Sequence, residues 1–229
     1  LCLNLSSGDW RVLPPMKRVR ANAAVASLGG QIYVCGGLTT ATLLRSVERL
    51  SPFVHHRGWE TMPSMWQARC LGVATTVGRC LYVCGGSLGR KAAACLERLV
   101  PSGAIVQWEL LAPMRNKRFA MAVTSLGGCL YVLGGYDCVD TLRSVERFNP
   151  VVGGWEVLPP MPQARAGATA AAIGGYIFVC GGHNNAGLAC TAERFCPTSG
   201  HWEALAPMLA PRADAAVAAA GGRLFLCGG

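Results

Sequence analysis

Residues 127–135, "GGCLYVLGG", decide how this sequence folds. Two Gly-Gly pairs enclose five apolar residues. Glycine loses more backbone freedom on folding than any other residue, so four of them around such a short segment need a reason. Taken alone, the stretch fits either a phosphate-binding loop or the turns of a β-hairpin.

The stretch has four counterparts in the chain, and its second Gly-Gly pair recurs at steps of 49, 49, 47 and 47 residues. Four other features keep the same steps. They are Trp10, Trp59, Trp108, Trp155 and Trp202; Met16, Met65, Met114, Met161 and Met208; Arg20, Arg69, Arg118, Arg165 and Arg212; and the pairs Glu48-Arg49, Glu97-Arg98, Glu146-Arg147 and Glu193-Arg194. Such coincident spacing indicates an architecture that repeats one structural unit.

Each unit contains four short segments that read as β-strands, which we name A to D. In the third unit they are "MAVTSL", "CLYVLGG", "SVERF" and "GWEVLPP". The Gly-Gly pair between A and B suits a type I′ hairpin turn, in which both residues need positive φ. Arg79 replaces the second glycine in one unit, and we expect strain there. Four strands per repeat of this length predict an all-β protein built from propeller blades.

The pattern resembles the Kelch repeat over essentially all 229 residues. The resemblance rests on the Gly-Gly pair that ends strand B, on "SVERFNP", and on a Trp followed by Pro-Met, as in "WEVLPPM". The Tyr usual in strand C is replaced by Leu50, Leu99, Phe148 and Phe195. The resemblance implies a four-stranded-blade propeller, commonly of six blades, that binds other proteins. It implies a substrate-recognition module of BTB-Kelch type that serves a cullin ubiquitin ligase. Actin or cytoskeletal binding is the alternative, and a metal-dependent oxidase a more remote one.

The repeat register divides this single domain into blades. Residues 17–65, 66–114, 115–161 and 162–208 are full units, residues 1–16 supply strands C and D, and residues 209–229 supply strands A and B. We expect a fragment of a six-bladed ring, because the sequence lacks an initiator Met. In the alternative, the two ends complete a fifth blade, which would remove exposed sheet edges.

The formal net charge of +9 predicts an acidic peptide or loop as the partner. Alternating strand direction places the B–C loops and D–A links on one face, where we expect the repeated arginines to form a ring of guanidiniums suited to carboxylates. The predicted partner-binding residues are Arg20, Arg69, Arg118, Arg165, Arg212, Lys17, Arg18, Arg115, Lys117, Thr39, Arg90, Tyr136, Asp137, His183, Asn184 and Asn185. The strand-C arginines that follow the repeated glutamates are expected to stack or pair between blades.

Several other functions fit the sequence poorly. It has no Gly-x4-Gly-Lys-Ser/Thr motif for phosphates and no Cys-x2-Cys, and His55, His56, His183 and His201 are dispersed. We therefore expect no cofactor, no metal and no catalysis. Aromatic residues are scarce among the basic links, which argues against nucleic acid. The uncharged run 166–182 contains a Gly-Gly pair, which argues against a membrane helix.

The cysteines also follow the repeat. Cys35, Cys84, Cys180 and Cys227 share one repeat position with Leu133, so we expect buried free thiols. Free thiols predict a reducing compartment, the cytoplasm or the nucleus.

Overall fold

The computed structural model describes residues 2–4, 6–53, 58–101 and 106–229, and this part of the chain consists of strands, turns and loops without a helix. Four sheets of four antiparallel strands make up most of the protein. In each sheet the strands pair in chain order A-B-C-D, apart from a small ribbon inserted in the last one. The predicted all-β propeller with four-stranded blades is thus confirmed.

We number the four sheets as blades 1 to 4. Blade 1 consists of β3 (Ala24–Leu28), β4 (Gln31–Cys35), β5 (Val47–Leu50) and β6 (Glu60–Met62). Blade 2 consists of β7 (Val73–Val77), β8 (Cys80–Cys84), β9 (Leu96–Leu99) and β10 (Trp108–Leu111). Blade 3 consists of β11 (Ala122–Leu126), β12 (Cys129–Leu133), β13 (Val145–Asn149) and β14 (Gly154–Leu158). Blade 4 consists of β15 (Thr169–Ile173), β16 (Tyr176–Cys180), β19 (Ala192–Cys196) and β20 (His201–Leu205), with the ribbon β17 (His183–Asn184) and β18 (Gly187–Leu188) between β16 and β19.

Each end of the chain contributes a two-stranded hairpin. The first pairs β1 (Cys2–Leu3) with β2 (Trp10–Arg11), and the second pairs β21 (Ala216–Ala220) with β22 (Arg223–Cys227). Strand β21 packs against β15 just as the innermost strands of neighbouring blades pack together. The alternative of a fifth blade completed by both ends requires strand pairing between these hairpins. Within the described residues the two hairpins are separate sheets.

The hydrophobic core lies between blades rather than within one. One buried cluster combines Tyr33 and Val47 of blade 1 with Leu81 and Leu99 of blade 2. A second cluster joins blades 2 and 3, and a third joins blades 3 and 4. Because each sheet buries its faces against its neighbours, no blade has a complete core by itself.

The repeated tryptophans fasten each blade to the one before it. The Trp155 indole N–H donates to the carbonyl of Ala112 at 2.8 Å, which bridges blades 3 and 2. The same bond joins Trp59 to Pro14, Trp108 to Pro63 and Trp202 to Pro159. A buried indole needs a partner for its N–H, and here the partner belongs to the preceding repeat.

The second Gly-Gly pair of each unit is a joint between blades. Gly134 and Gly135 both have positive φ, and the Gly135 N–H donates to the Arg165 carbonyl of the next blade at 2.7 Å. A Cβ on Gly135 would lie 2.8 Å from the Phe119 carbonyl oxygen, so a side chain has no room. The first pair, Gly127-Gly128, is the A–B turn and has open space around it.

The expected strain at Arg79 is absent from this turn. Arg79 does not belong to the described residues with positive φ, whereas Gly78 has φ +60°. The turn of blade 2 therefore needs only one glycine and differs from the type I′ geometry that the sequence suggested.

Candidate functional site

The B–C loops and D–A links form one surface, which we call the loop face. It comprises the B–C loops 36–46, 85–95, 134–144 and 181–191 and the D–A links 12–23, 63–72, 112–121, 159–168 and 206–215. An antiparallel backbone bridge joins link to loop in every complete blade: Ala21 to Leu38, Cys70 to Ser87, Phe119 to Tyr136, and Ala166 to His183. These bridges fix the loops relative to the sheets, so the loop face is held by backbone bonds.

A relay of backbone hydrogen bonds runs from blade to blade at the inner end of the links. The Leu71 N–H donates to Asn22 O at 2.9 Å, Ala120 to Leu71 at 3.0 Å, Gly167 to Ala120 at 2.7 Å and Asp214 to Gly167 at 2.8 Å. All five residues are left-handed, with φ between +50° and +61°. Below the relay lies an axial cavity of about 380 Å³ that is lined mostly by small residues at the starts of the A strands.

The repeated link arginines are buried rather than presented to a partner. The Arg118 side chain is fully buried, and its Nη2 donates to Glu146 Oε1 at 2.6 Å. The same pairs join Arg20 to Glu48, Arg69 to Glu97 and Arg165 to Glu193 within the other complete blades. The structure therefore corrects our expectation of an exposed guanidinium ring, because these charges are neutralised inside each blade.

Each of these arginines also satisfies backbone carbonyls. Arg118 Nη1 donates to Gly134 O at 2.8 Å and to Ser144 O at 3.1 Å, which are the two ends of the B–C loop. Burial lowers the pKa of Arg118, while Glu146 acts in the opposite direction. Arg212 differs, since its Nη1 bonds to Gly228 O and no carboxylate pairs with it among the described residues.

The glutamate of each pair holds the start of the D–A link. In blade 3, Glu146 Oε2 accepts the Arg115 backbone N–H at 2.7 Å, and Oε1 accepts that of Asn116 at 3.2 Å. Glu48 binds the N–H groups of Lys17 and Arg18 in the same way. The Arg–Glu pair thus clamps the link and the loop together, which is a structural role.

The strand-C arginines pair within their own blade. Arg49 bonds to Glu60 at 2.5 Å, and the two residues are direct cross-strand neighbours of β5 and β6. Arg98 with Glu109, Arg147 with Glu156, and Arg194 with Glu203 repeat this arrangement. Our expectation of pairing between blades was wrong for this series.

These eight pairs determine where the net charge lies. They use all eight glutamates of the sequence, so the +9 surplus belongs to residues outside the pairs. Nine basic residues outside the pairs lie on the loop face: Lys17, Arg18, Arg45, Arg90, Lys91, Arg115, Lys117, Arg143 and Arg212. The acidic residues on the same face are Asp137, Asp140 and Asp214. The loop face is therefore strongly basic even though the repeated arginines are buried.

The predicted basic residues outside the repeat series are exposed. Lys17, Arg18, Arg115 and Lys117 lie on the links, and Arg90 lies at the tip of the blade 2 loop. Lys17 Nζ donates to the Thr61 hydroxyl of β6 at 3.3 Å, so this lysine lies over the outer strand of its blade rather than at the axis.

Three predicted loop residues hold turns instead of facing solvent freely. Asp137 Oδ1 accepts the N–H groups of Val139 and Asp140, both at 2.8 Å. The hydrogen bond from Asp140, supported by that from Val139 and by the charge of Lys117, lowers the pKa of Asp137. The equivalent residues, Thr39 and Asn184, bind backbone N–H groups in their own loops. These side chains therefore shape the loops, and their role in partner binding stays a prediction.

The remaining predicted residues differ in exposure. His183 and Asn185 are exposed, whereas Tyr136 is half-buried with its ring edge-on to Phe119 at 5.5 Å between centroids. His55 and His56 lie outside the described residues.

Sequence reasoning missed two variable repeat positions on this face. One is the left-handed relay position two residues after each link arginine. The other, at the end of each loop turn, carries Thr42, Lys91 and Asp140 in blades 1 to 3. Both could have been found as columns of unlike residues between constant ones, because the fold fixes the backbone there and leaves the side chain free.

The chemistry of the cysteines follows their burial. All twelve are free thiols, and burial raises the pKa of Cys35 and Cys84 to about 12. Cys180 is buried as expected, but Cys227 on β22 is exposed. Among the described residues, no three His, Cys, Asp or Glu side chains group closely enough to hold a metal ion. No helix of the described chain is long and apolar enough to cross a membrane.

Comparison with known proteins supports the architecture. The family sequence pattern described as the Kelch motif matches residues 20–55, 117–162 and 164–209, together more than half of the chain. The chain belongs to the Kelch family. Kelch repeats generally mediate protein–protein interaction, so this domain is an interaction scaffold in general terms. Blade 2 lies outside the matched residues, yet it has the same ion pair, between Arg69 and Glu97, and the same indole hydrogen bond, from Trp108 to Pro63, as the other blades.

A solved structure shows the same fold. The structure titled "Structure of YjhT" superposes with a TM-score of 0.80 at 16% sequence identity, and the match covers 93% of this chain and 74% of that one. At this identity the similarity concerns the Kelch propeller fold alone. No curated protein matches the sequence.

Proposed function

We propose that the loop face binds an acidic peptide or loop of another protein. The observation that carries this proposal is the distribution of charge. Every glutamate is used in a structural pair, and the remaining positive charge lies mainly on one face. A surface of one sign attracts ligands of the opposite sign and accelerates their association.

The exposed basic side chains of blades 2 and 3 are the main contacts in this proposal. Arg90 and Lys91 belong to one loop, and Arg115 and Lys117 belong to the next link. The two blades are adjacent on this face, since the Cys138 thiol lies 4.0 Å from the Arg90 carbonyl oxygen. Four cations on neighbouring elements can therefore contact one acidic segment.

Peptide binding to the chain tests the proposal. The probe is a glutamate-rich peptide of about twelve residues, compared with the same peptide carrying Gln for Glu. We expect binding of the Glu peptide only, with an affinity that falls as salt rises because these charges are exposed. The variant Arg115→Glu/Lys117→Glu should lose roughly tenfold in affinity, since each exposed contact contributes up to about 1 kcal/mol.

The control variant makes the same charge change on the opposite face. Arg79→Glu/Arg223→Glu alters a residue of the blade 2 A–B turn and the first residue of β22, next to the last A–B turn, and should leave peptide binding within about twofold. Equal losses in the two variants, or binding that does not respond to salt, would show that the loop face is not the site. A DNA oligonucleotide of equal charge tests the expected lack of nucleic-acid binding.

We propose that in the cell this face recognises substrates for a cullin ubiquitin ligase, as the Kelch resemblance implies. The observation in support is general, namely a basic face on a rigid Kelch scaffold. Actin binding is the alternative, and co-sedimentation with actin filaments tests it. That the domain is non-catalytic stays a prediction.

A further inference from the structure

The end of the loop turn is a position where the blades differ in charge but not in backbone. The Thr39 N–H donates to Thr42 O at 2.9 Å, and the Leu88 N–H donates to Lys91 O at 2.8 Å. In blade 3, the Asp137 N–H donates to Asp140 O at 3.3 Å. The backbone carbonyl makes the turn in all three blades, so the fold does not require any particular side chain at this position.

The side chains at this position are exposed and change sign around the face. They are neutral in blade 1, positive in blade 2 and negative in blade 3. Lys91 has no ion-pair partner among the described residues, and neither does Asp140. Asp137, three residues before Asp140, differs because backbone N–H groups occupy one of its oxygens.

Asp140 borders a cleft between blades 3 and 4. This cleft has a volume of about 320 Å³ and is lined by Asp140, Thr141, Ala164, Asn184, Asn185 and Ala186. Asn184 is fixed there, since its Nδ2 donates to Ala164 O at 3.2 Å and its Oδ1 accepts the Ala186 N–H at 2.8 Å. The polar side chains left to meet a ligand are therefore the Asp140 carboxylate, the Thr141 hydroxyl and the Asn185 amide, whose oxygens together suit a cation that donates hydrogen bonds.

The equivalent positions between blades 2 and 3 carry the opposite charge. Lys91 occupies the position of Asp140, and Lys117 occupies the position of Ala164. The negative cleft and the two lysines lie on neighbouring blades of a face that is basic elsewhere. A ligand that spans blades 2 to 4 meets first the two lysines and then the Asp140 carboxylate.

We propose that the partner segment carries both signs of charge, with acidic residues over blades 2 and 3 and a Lys or Arg in the cleft at Asp140. This deepens the proposed function and rests on it. Specificity then comes from the unlike side chains of neighbouring clefts, while the general positive charge supplies attraction.

Two peptide series separate this arrangement from a uniformly basic face. One series is four glutamates followed by one to five glycines and two alanines, and the other ends in two lysines instead. A uniformly basic surface binds the lysine series more weakly, because those peptides are less negative. We expect the best lysine peptide to bind roughly two- to fivefold more tightly than its alanine counterpart, the range typical of one exposed charge pair.

The variant Asp140→Asn decides whether the gain arises in this cleft. It keeps the side-chain size and the backbone turn, and we expect it to abolish the advantage of the lysine peptides without weakening the alanine series. Asp9→Asn, which removes the same charge far from the loop face, should preserve the advantage.

Two results would overturn the inference while leaving the proposed function intact: equal or weaker binding of every lysine peptide, or a lysine advantage that persists in Asp140→Asn. Failure of both series to bind would instead contradict the proposed function, and the inference would fall with it.

Discussion

Pro162 leaves Glu193 with a buried carboxylate oxygen that has no hydrogen-bond partner. In blades 1 to 3, the residue at the position of Pro162 donates its backbone N–H to the Oε2 atom of the strand-C glutamate, at 2.7 Å in each case. Proline has no N–H to donate. The Arg165–Glu193 pair is also the longest of the four buried pairs, at 3.1 Å.

Pro162→Ala should stabilise the protein, because it restores the missing donor. An unsatisfied buried polar atom costs about 1–3 kcal/mol. Replacing the proline gives the unfolded chain more conformational freedom, which costs about 0.4–1 kcal/mol of stability. We expect a net gain of about 1 kcal/mol in the free energy of unfolding, measured by urea denaturation. Pro160→Ala, the matched control on an exposed neighbour, should be slightly destabilising. If both variants lose stability equally, the missing hydrogen bond to Glu193 Oε2 does not affect the free energy of unfolding.

The two arginine series should differ sharply in their contribution to stability. Arg118→Ala leaves Glu146 charged and buried, and breaking such a pair costs about 3–5 kcal/mol. Arg147→Ala breaks a pair whose side chains are 31% and 57% exposed, and it should cost less than about 1 kcal/mol. Thermal or urea unfolding of the two variants measures the difference. Similar losses in the free energy of unfolding would contradict the burial of the link arginines.

Substitution by alanine at two glycines of residues 127–135 should destabilise the protein to different extents. Gly128→Ala places a side chain at positive φ in open space, so we expect a cost of about 1 kcal/mol from conformation alone. Gly135→Ala adds overlap with the Phe119 carbonyl and with Met121, and it also disturbs the bond to blade 4. We expect it to cost at least about 2 kcal/mol more, by the same unfolding measurement. Equal costs would show that the joint between blades can adjust.

The buried thiols should make the protein sensitive to alkali. Burial raises the folded-state pKa of Cys84 to about 12. Below pH 9 the thiol is neutral in both the folded and the unfolded state. As the pH rises towards 12 the thiol ionises in the unfolded state first, which lowers the free energy of unfolding. At pH 10 this thiol alone accounts for about 1.4 kcal/mol of lost stability. Cys84→Leu, which copies the residue at the same position of blade 3, should unfold with a flatter pH dependence between 9 and 11. Cys138→Ser, at an exposed site, should keep the wild-type profile.

The Cys196 thiol should ionise at a lower pH than an ordinary cysteine, in contrast to the buried Cys84 thiol. Hydrogen bonds with Ser199 and Thr198 lower the pKa of its half-buried thiol to about 7. We expect Cys196 to be alkylated by iodoacetamide at pH 7.5 well before Cys138, with the rate rising through pH 7. Ser199→Ala/Thr198→Val should shift that rise to higher pH. An unchanged profile in this variant would exclude the hydroxyl groups as the cause.

The sequence predicted those features that recur in every repeat and act through the backbone. The turns at the Gly-Gly pairs and the four strands of each unit follow from composition and spacing. The burial of Arg118 could not be read from its recurrence, since a repeated residue can face either inwards or outwards. A signal was present, however, because each link arginine precedes a glutamate by 28 residues in every complete blade. One cation and one anion per unit at constant separation indicate a pair.

The charge reversal between Lys91 and Asp140 was harder to predict. Neither residue stands out in a single repeat, and only the observed turn bonds show that the backbone carbonyl makes the turn and that no particular side chain is required there. Asp137 illustrates the converse, because only the structure shows that the carboxylate of this loop residue holds the turn.

The relay of left-handed residues around the axis has an evolutionary consequence. Asn22, Leu71, Ala120, Gly167 and Asp214 are bonded to one another through backbone atoms, so these particular bonds do not depend on which side chains stand there. A side chain of this row can therefore change without breaking the backbone bond to the neighbouring blade. The surface around the axis can diversify one blade at a time while these bonds between the blades persist.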